Sequence, residues 1–140
     1  MPPATVMPYR SVYAPVAASV PKLRREASAT LSRWHPPLPQ EALDRALLII
    51  SELVSNTVRH TSRYSPRAEL TLSFLDDSLD IAVHDGDPRL PVIPPSVHWH
   101  RTGGRGMRLV QDLVVEAGGR FEVRSAPGRT GTAVFASLPL

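Results

Sequence analysis

The strongest pattern in the chain is a run of apolar residues at helical spacing. Leu43, Ala46, Leu47, Ile50, Leu53 and Val54 form one stripe at a period of about 3.6 residues. This predicts a helix from just after Pro39 to about His60. Glu52, Asn56 and His60 fall at i, i+4 and i+8 on another face of it. A second set, Leu23, Ala27, Leu31 and Trp34, predicts an earlier helix from about Ser19 to Trp34. Pro21 suits its first turn, and Pro36-Pro37 ends it. Elsewhere the period changes to two. Leu70, Leu72 and Phe74 alternate with Glu69, Thr71 and Ser73, so Ala68–Leu75 reads as a half-buried strand. Asp76-Asp77-Ser78 is the expected hairpin turn, and Leu79, Ile81 and Val83 begin the next strand.

Tyr9–Ala14 reads as a short edge strand closed by Pro15. The Pro-rich residues before it, 1–8, read as a disordered N-terminus. Residues 85–106 are rich in Gly, Pro, Arg and His, the composition of a functional loop or lid. Gly103-Gly104-Arg105-Gly106 then opens a third helix, with Met107, Val110, Leu113 and Val114 apolar and Gly118-Gly119 at its end. Arg120–Ser125 and Gly131–Leu138 read as two last strands around a turn at residues 126–130. The order β-α-α-β-β-lid-α-β-β predicts an α+β two-layer sandwich. Its sheet is mixed but mostly antiparallel, of about five strands, with three helices on one face. At 140 residues the whole of 9–140 is expected to be a single domain.

Composition narrows the chemistry. With no cysteine, a disulfide scaffold, a thiolate zinc site and cysteine catalysis are excluded. No stretch approaches the length of a spanning helix, and no secretory signal is visible, so a cytoplasmic protein without membrane contact is expected. The net charge is +3, from 16 basic and 13 acidic residues. Residues 1–40 hold Arg10, Lys22, Arg24, Arg25 and Arg33 against Glu26 alone. That basic segment reads as a solvated face or a contact for an acidic partner. No aromatic platform accompanies it, so direct nucleic-acid binding is not expected.

Four constellations carry candidate chemistry. Glu52 and Asn56 are one helical turn apart. An Asn oxygen suits Mg²⁺, and a nearby carboxylate can take a proton from an attacking hydroxyl. On spacing alone, the solvent side of an amphipathic helix is the simpler reading. Asp85-Gly86 ends a strand, where a carboxylate can accept a hydrogen bond from an exocyclic amine, or simply begin a turn. The glycines at 103, 104 and 106 precede a helix N-terminus, an arrangement suited to phosphate. They do not form a Walker A motif, because no Gly-Lys-Ser/Thr follows. Thr132 opens the final strand. His98 and His100 have no third ligand at regular spacing, so no His-held metal is expected.

In order, these elements resemble the boxes of the GHKL ATPases, the family with the Bergerat ATP-binding fold. Ser51-Glu52 through Asn56 to His60 resembles the N box, Asp85-Gly86 the start of the G1 box, and Gly104-Arg105-Gly106-Met107 the G2 box. Gly131-Thr132 resembles the last glycine-containing element. The Ser-Glu-x-x-x-Asn-x-x-x-His pattern, the short length and the preceding Arg-bearing helix are most similar to the small anti-sigma-factor serine/threonine kinases. They are also similar to the short regulatory ATP-binding proteins of actinobacteria.

The resemblance implies ATP and Mg²⁺ as cofactors. It gives Asn56 to the metal and makes Glu52 the general base toward a Ser or Thr hydroxyl. Asp85, with Gly86, would bind the adenine amine. Gly104, Arg105, Gly106 and Met107 would hold phosphates, Arg101 or Arg105 would serve as a lid arginine, and Thr132 would support the adenine or phosphate side. The implied partners are a STAS-type anti-anti-sigma antagonist, a sigma factor and a second copy in a homodimer. The G1 box normally continues with two glycines, and their places here hold Asp87 and Arg89. That departure motivates the alternative, an ATP-binding partner-switch module without phosphotransfer.

Overall fold

A computed structural model describes residues 9–34, 37–60, 65–75, 77–86, 105–125 and 131–140. The described elements are β1 (Tyr9–Tyr13), α1 (Ser19–Ser32), α2 (Gln40–His60), β2 (Ala68–Leu75), β3 (Ser78–Asp85), α3 (Arg105–Glu116), β4 (Arg120–Ser125) and β5 (Thr132–Pro139). The predicted N-terminal tail, most of the predicted loop including Asp87, Arg89, Arg101, Gly103 and Gly104, and the turn at 126–130 lie outside the described residues.

The five strands form one sheet in the order β1-β2-β3-β5-β4. Every pairing is antiparallel, so the expected mixed sheet is corrected to a fully antiparallel one. A short connection makes β2 and β3 antiparallel, while β1–β2 and β3–β5 are joined through helices. Leu75 pairs with Ser78 directly across the β2–β3 turn, which makes Ser78 a strand residue rather than a turn residue. Helix α1 stops at Ser32, short of Trp34, which instead packs edge-on against Phe74 at a centroid distance of 4.0 Å.

The core lies between the sheet and the helices. Leu23, Ala27 and Leu31 of α1, Ile50, Leu53 and Val54 of α2, and Val110 and Val114 of α3 are each at most 1% exposed. They meet Leu70, Leu72, Leu79 and Ile81 from the inward face of β2 and β3. Burying each large aliphatic side chain contributes about 1.5–3 kcal/mol, which is why the two sequence periods fix the layers. The opposite sheet face carries Arg10, Glu69, Asp80 and Glu122, with Arg10 and Glu69 paired at 2.9 Å. Such solvent-exposed pairs add little stability.

Helix α3 ends in a Schellman motif. The Gly118 N–H donates to the Val115 carbonyl and the Gly119 N–H to the Val114 carbonyl, both at 2.9 Å, with Gly118 at φ +77°. This tight reversal sends β4 back along the helix that precedes it. No helix among the described residues is long and apolar enough to cross a membrane.

Candidate active site

One row of the sheet organises the site. Tyr13 on β1 is opposite Ala68 on β2, Ala68 is opposite Asp85 on β3, and Asp85 is opposite Thr132 on β5. Cross-strand partners share a face. The alternation that buries Leu79, Ile81 and Val83 turns Asp85 inward too, leaving it 7% exposed, with Thr132 at 2%. The far end of each strand is apolar under the helices, and this end is polar.

Helix α2 covers the row. Thr57 is 1% exposed, and its hydroxyl donates to the Val54 carbonyl at 2.7 Å. The Tyr13 hydroxyl lies 2.9 Å from Thr57 Oγ1. Either hydroxyl can donate in that bond. Burial pushes the Tyr13 hydroxyl up to about 12, the Thr57 bond opposes the shift, and the Asp85 charge adds to it. Asn56, beside Thr57, is 8% exposed, and Glu52 one turn earlier is half-buried. The solvent-side reading of this helix face therefore fails for Asn56 and holds for His60, which is exposed.

The end of β3 is pinned from two sides. The Gly86 N–H donates to Ser65 Oγ at 3.0 Å, and Ser65 in turn donates to the Arg67 carbonyl. On the other side Gly131, at φ +124°, approaches so closely that a Cβ there would run into the Asp85 carbonyl oxygen. Only glycine accepts both that backbone conformation and that approach.

The start of α3 belongs to the same end of the sheet. The reversal at Gly118-Gly119 sits against Ser137, five residues along β5 from Thr132. Helix α3 has 12 residues, about 18 Å at 1.5 Å each. Running back over β4 and β5, it brings its N-terminus to the end where Asp85 and Thr132 lie. Arg105 and Gly106 form its first turn as expected. The Met107 side chain is 1% exposed and joins the core. Any ligand contact at Met107 therefore falls to its backbone N–H. Arg101 and Gly104 lie outside the described residues.

The structure thus brings Asn56, Asp85, Gly86, Thr132 and the start of α3 to one end of the sheet, with Glu52 a turn back along α2. Three residues there were not singled out from sequence. Thr57 carried a signal, because it continues Ile50, Leu53 and Val54 at i+7 and puts a hydroxyl into an apolar stripe. Tyr13 alternates with exposed Val12. Ser65 had no sequence signal, since its role comes from a contact across 21 positions.

Metal chemistry is limited by the donors present. Among the described residues no group of three or more His, Asp or Glu side chains stands close enough to hold an ion. A single buried carboxamide, Asn56, fits Mg²⁺ bound mainly by phosphate and water, the habit of that ion.

Comparison with known proteins agrees with this geometry. Residues 14–137 match the model of the histidine kinase-like ATPase domain family. Among solved structures, the chain is similar to the histidine kinase domain of the blue-light activated histidine kinase from Erythrobacter litoralis EL346. The identity is 26% and the TM-score 0.55, over 88% of this chain and 60% of that one. It is also similar to the blue-light activated histidine kinase of that organism in a longer structure, at 26% identity and TM-score 0.58, over 90% of this chain and 42% of that one. The chain therefore spans less than two thirds of either structure.

Proposed function

We infer the function from one premise: this chain belongs to the histidine kinase-like ATPase domain family. It is an ATP-binding domain of the kinase-like ATPase type. The finer reading is an anti-sigma-factor-type serine/threonine protein kinase. In it, the chain phosphorylates a small STAS-type antagonist protein and sequesters a sigma factor, as a homodimer. The observation that carries the nucleotide reading is the pairing of buried Asp85 with buried Thr132 at the end of the sheet to which the α3 N-terminus returns. The Ser-Glu-x-x-x-Asn-x-x-x-His run on α2 supports the kinase branch.

In this reading the Asp85 carboxylate accepts the adenine amine, and Thr132 supports the base beside it. Backbone N–H groups of Arg105, Gly106 and Met107 receive phosphate oxygens at the positive end of α3. Arg101 or Arg105 adds a charged contact to the terminal phosphate. Asn56 holds Mg²⁺, which when bound offsets phosphate charge. Glu52 takes the proton as the Ser or Thr oxygen of the antagonist bonds to the γ-phosphorus, and the bond from that phosphorus to the β,γ-bridging oxygen breaks to release ADP.

The test is transfer from radiolabelled ATP to candidate antagonists. Labelled phosphoserine or phosphothreonine that disappears in Glu52→Ala supports the kinase. ATP binding without transfer, unchanged by Glu52→Ala, supports the second reading. In that reading the chain is a nucleotide-dependent partner module, the reading favoured by Asp87 and Arg89 at the G1-box glycine places.

A further inference from the structure

We propose that Ser65 is a positioning residue for base recognition: its hydroxyl fixes the peptide after Asp85, and with it the direction of the Asp85 carboxylate. This inference rests on the nucleotide reading of the Asp85–Thr132 pair and adds a residue from the turn before β2, outside every sequence box. Strand β3 ends at Asp85, so the Gly86 amide lies past the ladder. In the β2–β3 register Ala68 is opposite Asp85, and one step further Arg67 would stand opposite Gly86. Ser65 bridges these two backbones. The Gly86 N–H donates to Ser65 Oγ at 3.0 Å, and Ser65 Oγ donates to the Arg67 carbonyl at 2.5 Å. The hydroxyl thus gives its one proton and accepts another. Ser65 is 5% exposed, so solvent is largely kept from both bonds, and losing either has a cost.

The Gly86 N–H belongs to the same planar unit as the Asp85 carbonyl. Ser65 holds that unit by its N–H. Gly131 confines it from the β5 side, because a Cβ there would run into the Asp85 carbonyl oxygen and stand 3.0 Å from Gly86 Cα. A Cβ at Gly86 would in turn lie 2.9 Å from Ser65 Oγ, which shows how closely the serine approaches. Pairing with Ala68 and Thr132 fixes the backbone at Asp85 itself. With the next peptide plane also fixed, the Asp85 Cα–Cβ bond points one way. A carboxylate held in one direction accepts an amine and repels a carbonyl, so a base with a carbonyl in place of the adenine amine is rejected. Without the Ser65 hydroxyl the peptide can turn, and the carboxylate with it, which lowers that penalty. The phosphates are assigned to the start of α3, a separate element, so ATP and ADP feel the change alike.

The experiment is calorimetric titration of the full chain with ATP, ITP and ADP, in wild type, Ser65→Ala, Ser65→Cys and Ser65→Thr. ITP carries a carbonyl in place of the adenine amine. Wild type should bind ATP at least about tenfold more tightly than ITP. Ser65→Ala removes the hydroxyl, and Ser65→Cys keeps the side chain's shape with only weak hydrogen bonding. Each should narrow the ATP to ITP ratio about three- to tenfold, through weaker ATP binding. Ser65→Thr keeps the hydroxyl and should hold the ratio within about twofold of wild type. The ATP to ADP ratio should stay within about twofold throughout.

If Ser65→Ala does not fold, the nearly isosteric Ser65→Cys takes its place. Folded variants that lack the hydroxyl yet keep the wild-type ratio, or that weaken ATP and ITP equally, overturn the positioning role. So does a folded Ser65→Thr chain that narrows the ratio as far as Ser65→Ala does. A wild type that binds ATP and ITP equally well overturns it too, while leaving nucleotide binding standing. A wild type that binds no ATP overturns the nucleotide reading itself, and this inference with it.

Discussion

Asp85 and Thr132 face each other across β3 and β5, both inward and both almost wholly buried. A carboxylate is costly to bury among apolar strands unless polar groups meet it. Here the cost falls at the end of β3, where Thr132 also turns a buried hydroxyl inward. Gly131 holds the β5 side of this pair against the backbone of Asp85 and Gly86.

Gly131→Ala should therefore lower stability by at least about 2 kcal/mol, from the positive φ and the collision with the Asp85 carbonyl. Urea unfolding reads this as a lower midpoint with an unchanged slope. An alanine variant with the wild-type midpoint contradicts the close approach.

Alkaline titration tests the buried phenol. The Tyr13 hydroxyl is raised from 10.0 to about 12 in the folded state. The unfolded chain gives up this proton first as pH rises, so the stabilisation is complete below pH 10 and is lost as pH climbs toward 12. Wild type should be more stable than Tyr13→Phe at pH 9 by about 1 kcal/mol, the worth of the Thr57 bond. That advantage should shrink or reverse by pH 11.5 in denaturant melts. A constant difference at both pH values contradicts a buried, neutral Tyr13.

Asn56→Ala should weaken ATP binding about tenfold in Mg²⁺, or ~1.4 kcal/mol, and far less in EDTA. Calorimetry in the two buffers makes the comparison. An equal loss in both places Asn56 away from the ion.

Glu52→Gln should keep ATP affinity within about threefold while phosphotransfer falls by roughly two to four orders of magnitude, the usual worth of a positioned base. Transfer at the wild-type rate would remove Glu52 from the reaction.

Most of the layer order was legible in the sequence because burial writes itself as period. The α2 stripe of Leu43 to Val54 and the alternation in β2 both became core faces. The element ends were less legible. Trp34 continued the α1 pattern but packs on Phe74 outside the helix, since a tertiary ring contact replaces further helical burial. The same limit applies to the site. Asn56, Asp85 and Thr132 stood out as polar residues in recognisable boxes. Ser65 and Tyr13 act only through partners far along the chain, on a turn and an edge strand that carry no motif. Met107 shows the converse. It belongs to a box by position, yet its side chain belongs to the core, because the helix it opens must bury its apolar side.

The most direct measurement is ATP titration of wild type against Asp85→Ala, with folding of both checked by circular dichroism. Wild type should bind ATP in Mg²⁺, and Asp85→Ala should bind at least tenfold more weakly while remaining folded. A folded Asp85→Ala chain with wild-type affinity would contradict the placing of the nucleotide base at the Asp85–Thr132 pair.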